Sequence, residues 1–168
     1  MRASVFWIEG PWLGRLAILL RPRGGEWLDA ETRAWREASL DAVVSLLEPS
    51  EEAELDLGRE ATSAAANGLA FRSFPIPDRS VPSSREAVGQ LVAHISSALE
   101  AGDNIGFHCR QGIGRSGLMT AATLIVAGED VDTALGNITR GRGLTVPETD
   151  EQRRWILAFA SWHQTSRP

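Results

Sequence analysis

The sequence predicts an α/β fold: a single domain with a central, mostly parallel sheet flanked by helices. Three observations predict it. Short apolar runs alternate with segments of helical spacing along most of the 168 residues, the order that parallel strands joined by helical crossovers require. The hydrophobic fraction of 43% supports one core, and a second would need more chain. The valine- and leucine-rich run Ala42–Leu47 is short and continuous, as a strand covered on both faces is.

The elements follow in order. Ser4–Ile8 and Arg15–Leu20 are apolar runs separated by Gly10-Pro11 and Gly14, so they read as two strands and a turn. Leu28, Ala34, Trp35 and Ala38 fall at helical spacing, with Asp29 in the first turn where the helix dipole favours it. Ala42–Leu47 is the next strand, ended by Pro49. Ser50-Glu51-Glu52 looks like an N-cap and acidic first turn, which predicts a helix through about Leu57 and a second helical piece to Ala66. Leu69–Ile76 is a strand, after which Pro75, Pro77 and Pro82 force an extended loop.

Ser83-Ser84-Arg85-Glu86 carries a capping-box pattern and opens a helix to about Ala101, with Val88, Leu91, Val92, Ile95 and Leu99 on one face. Asn104–His108 is a short strand, and residues 115–127 form an apolar helix. Asp130 caps a helix through Arg140, and Thr149 with Gln152 caps a last one through about His163, beyond which the polar tail reads as frayed. Trp155, Phe159 and Trp162 share one face of that helix and read as core.

Composition removes several functions. Seventeen basic residues against 22 acidic ones give a net charge of −5, so no diffuse grip on nucleic acid or an anionic membrane is expected, and any anion must be bound locally. All basic residues are arginine, which excludes Schiff-base chemistry and a Walker-type lysine. The single cysteine, Cys109, has no partner for an internal disulfide, and no Cys/His cluster offers zinc ligands. A reducing, cytoplasmic setting is the expectation, with no metal or cofactor. No run of 18 apolar residues suggests membrane insertion, and Met1–Ile8 is too short for a signal-peptide core. Glu51, Glu52, Glu54, Asp56 and Glu60 read as a solvated helix face, and His94 and His163 carry no partner pattern.

The chemistry lies in His108-Cys109-Arg110-Gln111-Gly112-Ile113-Gly114-Arg115-Ser116-Gly117. A thiolate attacks phosphorus only where its own charge is stabilised and the phosphate oxygens are neutralised. A loop from strand to helix meets both needs, because Gly112 and Gly114 let its N–H groups turn inward as an anion nest at the positive end of the following helix. The amides of residues 110–115 and the planar fork of Arg115 then bind the phosphate oxygens. Ser116 is placed to hydrogen-bond the sulfur and help it leave a phosphocysteine, and His108 to orient the loop through backbone contacts. The bland alternative is a buried cysteine before a glycine-rich turn.

His-Cys-x5-Arg-Ser resembles the signature of cysteine-dependent protein tyrosine phosphatases, and the small size resembles their dual-specificity branch, especially compact members similar to the cyclin-dependent kinase inhibitor-associated phosphatase. The resemblance covers the chain from about residue 40 onward and is diagnostic at the Cys109 loop. It implies a phosphatase-like fold with Cys109 as nucleophile, Arg115 and the loop amides as the phosphoryl site, and an aspartate from a separate loop as general acid. Asp78 fits that place, in the proline-bounded Phe74–Pro82 segment, 31 residues before the cysteine. Capping of the turn between Pro77 and Arg79 is its bland reading.

The resemblance implies hydrolysis of phosphotyrosine, with phosphoserine and phosphothreonine open, since no tryptophan precedes Pro77-Asp78 and a shallow pocket follows. Arg110 and Arg79 would make the rim more positive and bring phosphoinositides or other small phosphorylated molecules into the range. A solvent-facing charge is the alternative for Arg110. Gln152 resembles a glutamine that places the hydrolytic water in some relatives, although the capping box accounts for it as well. A catalytically weak phosphate-binding module and a rhodanese-type sulfur transferase are the competing classes. The oligomeric state is not encoded in any of these motifs.

Overall fold

The computed structural model describes residues 2–166. Five strands, β1 (Val5–Ile8), β2 (Leu16–Leu19), β3 (Ala42–Ser45), β4 (Ala70–Ser73) and β5 (Ile105–His108), form one sheet in the order β1-β2-β5-β3-β4. β1 pairs antiparallel with β2 across the predicted turn, and the other three pairings are parallel. Seven helices complete the described residues: α1 (Leu28–Glu37), α2 (Pro49–Glu54), α3 (Glu60–Ala66), α4 (Arg85–Glu100), α5 (Gly114–Val126), α6 (Val131–Arg142) and α7 (Asp150–Thr165). A 3-10 turn at Gly25–Trp27 leads into α1.

Strand alternation divides the core in two. On one side Leu16, Ile18, Val44, Ile105 and Phe107 pack with α4 to α7, including Val88, Val92, Leu118, Ala122 and Phe159. On the other, Ala17, Leu19 and Val43 pack with Trp35 of α1 and Ala64 of α3. The period of two also sends His108, next after Phe107, toward the α1 and α3 side, where its ring stacks on Trp35 at 5.8 Å. α5 is buried along nearly its whole length, which is why it carries no polar stripe. Trp155, Phe159 and Trp162 stack along α7 as a core face.

The helix ends bring three corrections. α2 is capped by Glu48, with Pro49 as its first residue and a reciprocal box between Glu48 and Glu51, so Ser50 is not its N-cap. The proline already holds the backbone angle that a first helical residue needs, and the helix therefore starts two residues earlier. At α4 the cap is Ser84, which accepts from the Ala87 amide, and no box with Glu86 forms because the register is one residue on. α7 continues through Thr165, past the predicted end at His163. The capping boxes or caps expected at Thr149 and Asp130 are present.

The parallel register aligns the carboxyl ends of three strands, with Ser45 beside both His108 and Ser73. Each chain segment leaving that edge bonds to its neighbour: the Leu46 amide to the His108 carbonyl, the Phe74 amide to Ser45 and the Ile76 amide to Leu46. The loop after β5, the start of α2 after β3 and the proline-rich loop after β4 are thereby brought together, where open parallel sheets place their ligand crevices.

Candidate active site

At this edge lies a small pocket of about 70 Å³ lined by Asp78, Arg79, Cys109, Arg110, Gln111, Gly114, Arg115 and Glu148. Cys109 is only 3% exposed, yet it forms part of the pocket wall. The loop behind it turns at Gly112, whose φ of +68° is left-handed, and enters α5 at Gly114. A Cβ on Gly114 would stand 2.8 Å from the Gln152 amide and 3.0 Å from a Glu148 carboxylate oxygen, so a side chain there would have to displace the ends of both.

Arg115, 1% exposed, is the most constrained side chain of the site. Its Nη1 and Nη2 donate to Glu51 Oε2 and Oε1 at 2.7 and 2.9 Å, a bidentate pair. Nη1 also donates to the Ile76 carbonyl at 2.9 Å, and Nη2 to Asp78 Oδ1 at 2.9 Å. One guanidinium thus ties together the segments after β3, β4 and β5. Burial pulls its pKa down, and the Glu51 hydrogen bond with the charges of Cys109, Glu51 and Asp78 more than offsets this, so the net shift is upward. At Glu51 burial pushes up, while the Arg115 hydrogen bond, the Glu48 amide and the charges of Arg115 and Arg110 bring the carboxyl below the usual glutamate range.

The solvated acidic face expected over residues 51–60 is therefore corrected. Glu51 and Glu60 are 5% and 2% exposed and hold Arg115 and His108, which flank the loop. Glu60 Oε1 accepts from His108 Nε2 at 2.5 Å, and His108 Nδ1 lies 3.4 Å from the Cys109 carbonyl. Both carboxylates were missed because acidic residues at this density match an exposed helix. The usable signal was Glu51 as the third residue of a Pro-initiated turn, a position that faces back over the preceding loop.

Asp78 is half exposed at the pocket mouth, in a turn closed by the Ser80 amide on the Pro77 carbonyl, with Arg79 at φ +57°. Arg79 pairs with Glu148 at 2.6 Å, and Arg110 with Glu54 at 2.9 Å. The Ser116 hydroxyl is buried and has no hydrogen-bond partner among the described residues. Gln152 is fully buried: its oxygen accepts from the Glu148 and Thr149 amides and its nitrogen donates to the Ser80 carbonyl, so it caps α7 and tethers the Asp78 loop. Arg142, unremarked in the sequence, reaches from the end of α6 over the Phe6 ring and donates to the Gly112 carbonyl at 2.8 Å and the Gln111 carbonyl at 3.2 Å. Carbonyls of a turning loop need partners outside it, and Arg142 satisfies two of them.

The fold is similar to that of kinase associated phosphatase, KAP, at a TM-score of 0.88 and 14% identity, over 99% of this chain and 99% of that one. Tk-PTP in its active form matches at 0.76 and 28% identity over 96% and 99%, and PTPMT1 in complex with PI(5)P at 0.74 and 17% over 95% and 97%. No helix among the described residues is long and apolar enough to cross a membrane. Residues 20–129 match the model of the polymorphic toxin system DSP-PTPase phosphatases, and the chain belongs to that family of cysteine-dependent tyrosine and dual-specificity protein phosphatases.

Proposed function

We propose that the pocket at Cys109 is where this phosphatase works, with the roles divided as follows. The Cys109 thiolate attacks the phosphorus of a phosphomonoester and forms a sulfur–phosphorus bond as the ester oxygen leaves. The inward amides of residues 110–115 and the Arg115 guanidinium bind the phosphoryl oxygens. Asp78 gives its proton to the leaving oxygen, and as a carboxylate then takes one from the water that attacks the phosphocysteine, releasing phosphate and returning the thiolate. Ser116, whose buried hydroxyl is otherwise uncommitted, donates to the departing sulfur. His108 orients the loop through the Cys109 carbonyl.

One observation carries this reading. The Asp78 carboxylate reaches the pocket of Cys109 through its 2.9 Å contact with Arg115, although 31 residues separate it from the cysteine. Arg115 commits its Nη2 to Asp78. An arriving dianion would compete for that donor and release the carboxyl toward the leaving oxygen.

Gln152 acts as a cap and tether, with water placement as a second role only if the Ser80 bond opens. The shallow pocket admits phosphotyrosine and the shorter phosphoserine and phosphothreonine side chains. A phosphoinositide is the second reading, favoured by Arg110 at the rim and by the likeness to PTPMT1 in complex with PI(5)P. A reducing, cytoplasmic compartment suits a lone catalytic thiol. The test is hydrolysis of a small aryl phosphate in chelator. Cys109→Ser should abolish turnover, Arg115→Ala should lose binding and rate together, and Asp78→Ala should slow poor leaving groups most. Full activity of the cysteine variant would overturn the assignment.

A further inference from the structure

Three of the four guanidiniums at the Cys109 loop are matched by carboxylates, and the fourth, Arg142, is held by the Gln111 and Gly112 carbonyls. Arg79 is paired with Glu148, Arg110 with Glu54, and Arg115 with Glu51 and Asp78. Three positive side chains thus face four negative ones, and what remains for an anion is the set of loop amides at the start of α5. One phosphoryl group is well served there. A second negative group outside it meets Glu54, 63% exposed against 32% for its partner Arg110, and at the other pair meets Arg79 and Glu148 together, 63% and 25% exposed. The two carboxylates come from different segments, α2 and the stretch before α7: Glu148 lines the pocket itself, and Glu54 adjoins it through the lining residue Arg110. The chain's net charge of −5 works in the same direction at longer range.

We infer that Glu54 and Glu148 are specificity-determining residues, and that the enzyme selects singly phosphorylated protein segments with basic or neutral neighbours over ligands carrying further negative charge. This rests on the proposed reading of the Cys109 pocket. Arg110 and Arg79 hold the two carboxylates in place, and a basic side chain of the substrate shares them. Exposed pairs of this kind are weak, so the effect is a graded preference that salt screens, not an absolute gate.

The experiment compares kcat/KM for a phosphopeptide with arginine neighbours, the same peptide with glutamate neighbours, a soluble short-chain phosphoinositide and a small aryl phosphate. Wild type, Glu54→Gln, Glu148→Gln and the double variant are each measured at low and high salt. The basic-to-acidic ratio should be about fivefold in the wild type at low salt, and should fall below about twofold in the double variant and at high salt. Because each ratio is taken within one protein, a variant that folds less well still reports it. A wild-type ratio of one or less, a ratio unmoved in the double variant, or faster turnover of the phosphoinositide than of either peptide would overturn the inference. Aryl phosphate turnover that survives Cys109→Ser would instead overturn the reading beneath it, and no turnover of any substrate would overturn both.

Discussion

Two arginines five residues apart, one in the Cys109 loop and one in the first turn of α5, meet two glutamates three residues apart on one helix, and the pairs differ mainly in depth. Arg115 and Glu51 have side chains 1% and 7% exposed, whereas Arg110 and Glu54 are 32% and 63% exposed. The inner pair has lost most of its water, and each charge there depends on the other together with the Glu48 amide and the Ile76 carbonyl. The outer pair keeps its solvent and its rotamer freedom. Proximity of opposite charges is the same in both, so burial decides which pair is structural and which only shapes the field at the mouth.

Breaking the inner pair should have the largest effect. Glu51→Ala leaves the buried guanidinium with only the half-exposed Asp78 carboxylate and should cost about 3–5 kcal/mol in urea unfolding, with phosphatase activity falling alongside as Arg115 loses its aim. A cost below about 1 kcal/mol would mean that depth does not distinguish the pairs. Arg142→Ala removes donors from two outward carbonyls of the loop, and about 1.5–3 kcal/mol of charge-assisted bonding should appear as a tenfold or greater rise in the inhibition constant of inorganic phosphate. Arg142→Lys should recover part of this, since it keeps the charge but not both bonds. Unchanged phosphate inhibition in the alanine variant would show that the loop holds its shape without α6.

Glu60→Leu tests the other buried carboxylate. It should lower stability by about 1–3 kcal/mol in thermal melts, because His108 is left with an unpaired nitrogen in a site without solvent. Acid titration sharpens the contrast further. The Glu51 carboxyl lies below its ordinary range in the folded chain, so its contribution is complete above the unfolded value and is lost as pH falls through the folded one. Melting temperature should therefore drop more steeply in the wild type than in Glu51→Gln below about pH 4.5. Parallel curves would sink that account. The smallest change belongs to the outer pair, where Glu54→Ala should leave the urea unfolding midpoint unmoved.

Much of the architecture is legible in the chain because it depends on short-range pattern. The five apolar runs became the five strands, and the mostly parallel sheet followed from the helical segments between them. α4 was readable from five apolar positions on one face, all of them buried. α2 is only six residues long, too few to show a face, and its acidic residues concealed that one points inward. Gln152 illustrates a mixed case: the capping box was visible in Thr149-x-x-Gln152, but the bond from its side chain to the Ser80 carbonyl spans 72 positions and leaves no local trace.

By itself the sequence determined the strand-to-helix loop at Cys109, the arginine that closes it and the proline-bounded aspartate, because glycine placement, helix polarity and proline stiffness act within a few residues. Tertiary structure alone decided the partners. Glu51 meets Arg115 across 64 positions and Glu60 meets His108 across 48, and nothing in a residue's neighbours along the chain specifies contacts at that distance. Those contacts arise because the parallel register of β3, β4 and β5 gathers three loops at one edge, and because burial there leaves each charge no solvent to turn to.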